Sequence, residues 1–265
     1  DGEKRYILAP KNMKVGDKVP VALVGARLPS GIEIRAAKIR DIVSNGMMCS
    51  EAELGLGEDA SGLMILDPKA KTGDPLQKTL GLADAVLELE ITPNRPDCLS
   101  IIGIAREVGA IVGKKIKKPI VTVKESAQTT SEATSVEIRD PELCLRYAAR
   151  VIKGIKVGPS PVWMQQRLKT VGFRPINNIV DITNYVTVES GQPLHAFDFE
   201  RLQGKRIIVR RAEPGEEMVT LDGVERQLGS DMLVIADSKE PVALAGIMGG
   251  AYSEVSDNTI SVLLE

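Results

Sequence analysis

The chain has 265 residues, 43% hydrophobic and 26% charged, which is the make-up of an ordinary soluble globular protein and enough for about two domains. Lys and Arg number 34 against 36 acidic residues, so the net charge of -2 supplies no global attraction to a polyanion, and nucleic-acid contact requires a local patch. Three Phe, four Tyr and one Trp exclude a surface built mainly from base-stacking platforms.

The three cysteines, Cys49, Cys98 and Cys144, lie far apart without a Cys-x-x-Cys pair, so reduced thiols are expected, with neither a zinc site nor a disulfide framework. No apolar run approaches the roughly 18 residues of a membrane span, and the start lacks a signal-peptide pattern, so a cytoplasmic protein is expected. A start at Asp1 and a stop after the strand-like Ile260-Ser-Val-Leu-Leu-Glu265 suggest an excised piece of a longer chain.

Up to about residue 80 the pattern is β-rich. Val19 to Val24 is an apolar run ending at Gly25, and Ile32 to Ile39 alternates as a half-buried strand does. Turn residues cluster at Pro29-Ser-Gly31 and Ser44-Asn-Gly46, and a small barrel fits the spacing. The sulfur-rich Gly46-Met-Met-Cys-Ser50 reads as core packing at a bend rather than as a redox element.

Val86 to Ile91 places Leu87, Leu89 and Ile91 opposite Glu88 and Glu90 and predicts a strand. The two prolines of Thr92-Pro-Asn-Arg-Pro-Asp97 stop it. Asp97 or Ser100 can cap the helix that follows, whose apolar stripe of Ile101, Ile104, Ala105, Val108 and Val112 runs to Gly113. The basic Lys114-Lys-Ile-Lys-Lys118 suits a helix C-terminus better than an RNA patch. Residues 124 to 135 are small, polar and aperiodic, and read as a linker and domain boundary.

Strands are predicted at 134–139 and 146–153. Ser160-Pro161 signals a helix start, with Pro161, Met164, Leu168 and Val171 facing inward and Trp163 beside them as a packing anchor. Ile176, Ile179, Val180, Thr183 and Val186 have helical spacing, and Gly191 leads into Gln192-Pro-Leu-His195. His195 is the only histidine, on a loop near Arg174, Asp181, Asn184, Gln192 and Asp198. A lone histidine is more often structural than catalytic. Arg206 to Arg211, Leu233 to Ala236 and Val242 to Ala245 predict strands, and Leu221-Asp-Gly-Val224 a hairpin. The spacing of Gly246-Ile-Met-Gly-Gly250 is not that of a dinucleotide fingerprint, and a tight turn and a close ligand approach explain it equally well.

Five runs taken together resemble the β subunit of bacterial phenylalanyl-tRNA synthetase. They are Pro20-Val-Ala-Leu-Val-Gly-Ala-Arg-Leu-Pro29, Ser44-Asn-Gly-Met-Met-Cys-Ser-Glu-Ala-Glu-Leu-Gly55, Thr92-Pro-Asn-Arg-Pro-Asp-Cys-Leu-Ser100, Asn177-Asn-Ile-Val-Asp-Ile-Thr-Asn-Tyr185 and Gly191-Gln-Pro-Leu-His-Ala-Phe-Asp198. They occur in that subunit's order and span nearly the whole chain. The resemblance implies a multidomain α+β protein. Residues 1–82 would be a partial OB-fold β-barrel that binds tRNA, 83–123 a small α/β segment, 124–135 the linker, and 136–265 a mixed α+β editing domain cut short at its end. It further implies tRNA-Phe and an α subunit as partners in an α2β2 heterotetramer, with aminoacylation carried by the α subunit. No cofactor is implied for this fragment, and ATP and Mg2+ only for the full synthetase.

The family's editing domain hydrolyses tyrosine wrongly esterified to tRNA-Phe. Position by position, the resemblance assigns His195 to the ester, with Thr183, Asn184 and Arg174 as neighbours. It assigns Gly246, Gly249 and Gly250 to a glycine wall against the aromatic ring, and Glu265 to the tyrosine hydroxyl. Positioning and electrostatic help suit His195 better than a strict general-base role, with Asp198 or Asp181 as the group orienting its imidazole. The alternative is a non-catalytic module for tRNA binding or subunit assembly.

Overall fold

Short strands separated by turn residues fill the first part of the chain, as the alternating pattern there requires. The computed structural model describes residues 6–7, 12–39, 41–57, 59–82 and 85–265, apart from the side chain of residue 39. Strands β1 (Val21–Leu23), β2 (Ala37–Ile39), β3 (Ile42–Ser44) and β4 (Gly46–Met48) have three residues each. β1 pairs antiparallel with β4, and β2 with β3. Among the described residues these ladders remain pairwise and close no barrel. The first five residues of the expected barrel lie outside the described ones.

The alternation from Ile32 does not persist in burial, since Ile32 is exposed and Ile34, on the same face of a strand, is buried, and only its last three residues form a ladder. Leu28, Ile34 and Cys49 make the small core of this unit, packed against by Ala22, Ala26, Met47 and Leu54. Burial pushes the Cys49 thiol above its usual range, as suits a packing residue and not a reactive one. Helix α1 (Leu76–Thr79) follows. This unit ends at Val86, and a second comprises Leu87–Glu265.

Residues 86–91 form no strand. Leu87 is 73% exposed, and the stretch has no ladder partner among the described residues. Alternation records which side chains share a face, whereas a strand also needs a neighbour to take its backbone hydrogen bonds. Helix α2 (Ile101–Val112) is capped by Ser100, whose Oγ accepts the Gly103 N–H at 3.0 Å. Asp97 instead takes two hydrogen bonds from the Arg95 guanidinium. Gly103 is obligatory, because a Cβ there would lie 1.8 Å from the Asp97 carbonyl oxygen.

The expected linker is tied down. Helix α3 (Thr130–Ala133) carries a capping box between Thr129 and Glu132, and Glu125 and Gln128 accept hydrogen bonds from Arg150 and Lys153. Its small polar residues therefore describe a capped loop lying on the second unit, and the unit continues through it.

The elements that follow are β5 (Ser135–Ile138), β6 (Arg150–Lys153), α4 (Val162–Thr170), α5 (Asn178–Ser190), β7 (Ala196–Asp198), β8 (Arg206–Arg211), β9 (Glu217–Val219), β10 (Glu225–Gln227), β11 (Leu233–Ala236), β12 (Pro241–Leu244), β13 (Met248–Gly249) and β14 (Ser261–Leu264). A five-stranded sheet has the order β13-β12-β11-β8-β5, in which only the β5–β8 pair is parallel. A three-stranded antiparallel sheet has β14 between β6 and β7, and β9 and β10 form the expected hairpin. Phe197, Phe199, Leu202, Ile207, Val209 and Leu263 are central to the core between these strands.

The predicted Ser160 cap is replaced. Pro161 occupies the N-cap position of α4, and Ser160 Oγ donates to the buried Asp181 instead. The architecture is a mixed α+β one of several small sheets. Among the described residues no helix is long and apolar enough to cross a membrane.

Candidate functional site

The site is organised by the pairing of β7 with β14. Their register sets Leu264 opposite Ala196. One step further, the Glu265 N–H donates to the His195 carbonyl at 2.9 Å and the His195 N–H to the Glu265 carbonyl at 3.3 Å. His195 and Glu265 are therefore direct cross-strand partners, and such pairs project their side chains from the same face of a sheet. Two residues separated by 70 positions in sequence become nearest neighbours through a single ladder.

The histidine ring is held by packing. It meets the Phe197 ring edge-on at 4.6 Å between centroids, and on another side it meets Gly249. A Cβ at Gly249 would lie 2.5 Å from His195 Cε1, 2.6 Å from Nε2 and 3.1 Å from Leu221 Cδ1. The missing side chain is thus what lets the imidazole occupy its place. Gly249 itself is fixed by β13 pairing with β12 and by the Leu221 N–H donating to its carbonyl at 3.0 Å. Burial pushes the His195 pKa below its usual value, so the imidazole is neutral at physiological pH.

Glu265 is also half-buried. Burial raises its carboxyl pKa, and a 2.5 Å hydrogen bond from the Tyr147 hydroxyl works in the opposite direction. Burial, followed by the adjacent Glu265 charge, holds the Tyr147 phenol far above its normal pKa, so it remains a neutral donor. Tyr147 packs against the main core.

Helix α5 presents Thr183 and Asn184. Asn177 caps it, its side chain accepting from the N–H groups of Ile179 and Val180, and Gly191 ends it with φ +78°. Thr183 is buried and its hydroxyl donates to the Val180 carbonyl, Asn184 is partly buried, and Arg174 is exposed on the preceding loop. Gly250 is buried, and a Cβ there would lie 2.7 Å from the Val242 carbonyl oxygen. Gly246 differs from both. It has φ +69° in the turn between β12 and β13, and open space where a Cβ would be.

Neither carboxylate expected to orient the imidazole does so. Asp181 accepts from Ser160 Oγ and from the Ile176 N–H, locking α5 to the segments before α4 and α5. Asp198 accepts from Thr259 Oγ1 and the Glu200 N–H. Both acids lie near His195 in sequence, but strand alternation and helix geometry direct them into the scaffold.

Comparison with known proteins is decisive at the level of family. A family model described as the B3/4 domain matches residues 143–265. The chain is 52% identical, over 99% of its length, to the phenylalanine–tRNA ligase β subunit of Moorella thermoacetica. It is 52% identical over 96% of its length to that of Syntrophus aciditrophicus, and 50% identical over its full length to that of Geobacillus kaustophilus. This chain belongs to the phenylalanine–tRNA ligase β-subunit family. It spans about a third of the length of these relatives, 34%, 32% and 34% respectively. A solved N-terminal fragment of the Pyrococcus horikoshii phenylalanyl-tRNA synthetase β subunit aligns with 64% of the chain and 52% of its own, at 18% identity and a TM-score of 0.38, too loosely to bear on the fold.

Within this β-subunit chain, two residues that contact the candidate site carry no local sequence signal, Tyr147 and Leu221. Tyr147 stood in a predicted strand without any polar pattern around it, and its partner is 118 positions away. In sequence Leu221 marks only the start of a hairpin. One group of possible metal ligands, Asp97, Cys98 and Glu107, occurs among the described residues. Arg95 pairs with both of its carboxylates, at 2.8 Å and 2.7 Å, and holds Asp97 at a pKa of about 2. A guanidinium in that position already supplies the charge that a cation would bring.

Proposed function

We propose that this chain is the tRNA-handling and editing portion of a phenylalanine–tRNA ligase β subunit, and that its second unit hydrolyses tyrosine wrongly esterified to tRNA-Phe. The observation that carries this reading is the cross-strand pairing of a neutral, half-buried imidazole with a half-buried carboxylate beside a glycine that admits no side chain. A synthetic pocket shaped for phenylalanine cannot strongly reject an analogue that adds one hydroxyl. A second site that favours the hydroxyl corrects the error. Glu265 is the acceptor for that phenol, and His195 lies at the ester.

In the hydrolysis, water adds to the ester carbonyl carbon, and the bond to the terminal ribose oxygen breaks to release tyrosine. Burial keeps the imidazole neutral, so one nitrogen donates while the other accepts, which suits it to hold water or the ester oxygen in place. Among the described residues no side chain hydrogen-bonds this ring, so it lacks the orienting third member of a triad. Thr183, Asn184 and Arg174 complete the ester end. Gly249 and Gly250 line the ring's path with Gly246 at its outer turn, and residues 1–82 contribute tRNA contacts as a partial OB-fold.

Aminoacylation, with its ATP and Mg2+, belongs to the complete α2β2 enzyme of cytoplasmic protein synthesis and its α subunit. The test uses that enzyme: His195→Ala and Glu265→Ala are each expected to lower Tyr-tRNA-Phe deacylation at least tenfold while phenylalanine charging continues. Wild-type deacylation in both variants would refute the site.

The second reading, a module for assembly or tRNA binding, draws on a different observation. Leu99, Ile111, Ile120 and Val121 are 67–95% exposed, large apolar side chains more in keeping with a protein neighbour than with water. It concerns residues 83–123 and is compatible with editing by the rest of the chain.

A further inference from the structure

Glu265 has two carboxylate oxygens, and one is already in use. The Tyr147 hydroxyl donates to Oε2 at 2.5 Å, while no described residue donates to Oε1. Tyr147 lies just before β6, which pairs with β14, so the two residues are held by the same sheet. Its ring packs against the main core, leaving the hydroxyl little freedom to follow a moving partner.

We propose that Tyr147 is a positioning residue for the phenol end of the pocket, clamping one oxygen of Glu265 so that the other is presented to the hydroxyl of a tyrosyl ester. The proposal rests on the assignment of Glu265 as phenol acceptor. A buried carboxylate tends to take up a proton, and a protonated one no longer offers two acceptor oxygens. The Tyr147 donor opposes that tendency while fixing the rotamer, so one hydrogen bond accounts for both the charge and the aim of Glu265. The ionisable groups facing Glu265 are Tyr147 itself and His195 across the ladder, with Cys144 near Tyr147. None of them is a cation at neutral pH, so the carboxylate relies on Tyr147.

The experiment is Tyr147→Phe in the complete ligase, with Tyr-tRNA-Phe and Phe-tRNA-Phe as alternative substrates for deacylation. A lost hydrogen bond to a charged group predicts a KM about tenfold higher for the tyrosyl ester, with kcat changed much less. It also predicts that the acid limb of kcat/KM for the tyrosyl ester moves to higher pH, because Glu265 loses the donor that favours its ionised form. Hydrolysis of the phenylalanyl ester, which has no phenol to bind, is expected to keep its KM.

An unchanged KM and unchanged acid limb would overturn the proposal. A lowered KM for the tyrosyl ester would overturn it too, since Tyr147 would then be competing with the substrate. Incorporating 3-fluorotyrosine at position 147, a stronger donor that keeps the ring, provides a second arm should the Phe variant melt early. The acid limb is then expected to move to lower pH, and a static limb counts against the proposal. Glu265→Ala separates the two levels: if it loses the preference for the tyrosyl ester and Tyr147→Phe does not, Tyr147 is only structural. If Glu265→Ala keeps that preference, the editing assignment itself fails.

Discussion

Gly249 shows how much one missing methyl group can decide. A Cβ there would overlap His195 at 2.5 Å and press Leu221 at 3.1 Å, so the imidazole must swing away. Gly249→Ala is therefore expected to cut Tyr-tRNA-Phe deacylation at least tenfold in single-turnover assays while tRNA affinity is retained, and an unchanged rate would show that the ring has slack. The imidazole also gives a pH signature. Its folded pKa lies below the unfolded value of about 6.5, so the unfolded chain binds the extra proton first as pH falls. The stability advantage of wild type over His195→Ala should shrink between pH 7.5 and 5.5 in urea titrations, and a constant advantage would contradict the shift. Glu265 has the opposite sign. Its raised pKa makes the folded state the tighter proton binder above about 4.5, so it costs stability as pH rises through that window. At this scale His195 could be singled out from sequence because it is the only histidine. Tyr147 could not, because no local pattern reports a hydrogen bond to a residue 118 positions away.

Among the elements, β14 supports most with fewest residues. It pairs on both edges, and Val262 and Leu263 are almost wholly removed from water. Leu263→Ala is expected to destabilise the second unit by about 2–5 kcal/mol, read as a lower urea midpoint at unchanged slope. A loss under about 1 kcal/mol would mean that the neighbouring rings close the cavity. Helices were easier to read from sequence than strands. α5 announces itself through Asn177, its apolar spacing and Gly191, all within one stretch of chain. Residues 86–91 have equally regular alternation and form no strand, because ladder partners are contributed from elsewhere. The Ser160 cap failed for a related reason: the buried carboxylate of Asp181, 21 positions away, claims its hydroxyl.

At the scale of the whole chain, a net charge of -2 sets the expectation for RNA. These 265 residues alone are expected to bind tRNA weakly and to lose affinity steeply as salt rises, as filter binding at two ionic strengths would show. Nanomolar affinity at physiological salt would contradict this. The family was legible because its motifs are local runs, whereas the site had to await a ladder joining the middle of the second unit to its last strand. That ladder also constrains how the gene can change. Inserting or deleting one codon within β7 or β14 shifts the pairing by one residue and sends imidazole and carboxylate to opposite faces of the sheet. The 62 positions between Asp198 and Ser261 can lengthen or shorten at their turns without that penalty. Length variation among functional descendants of this chain should therefore collect in those turns and spare the two strands.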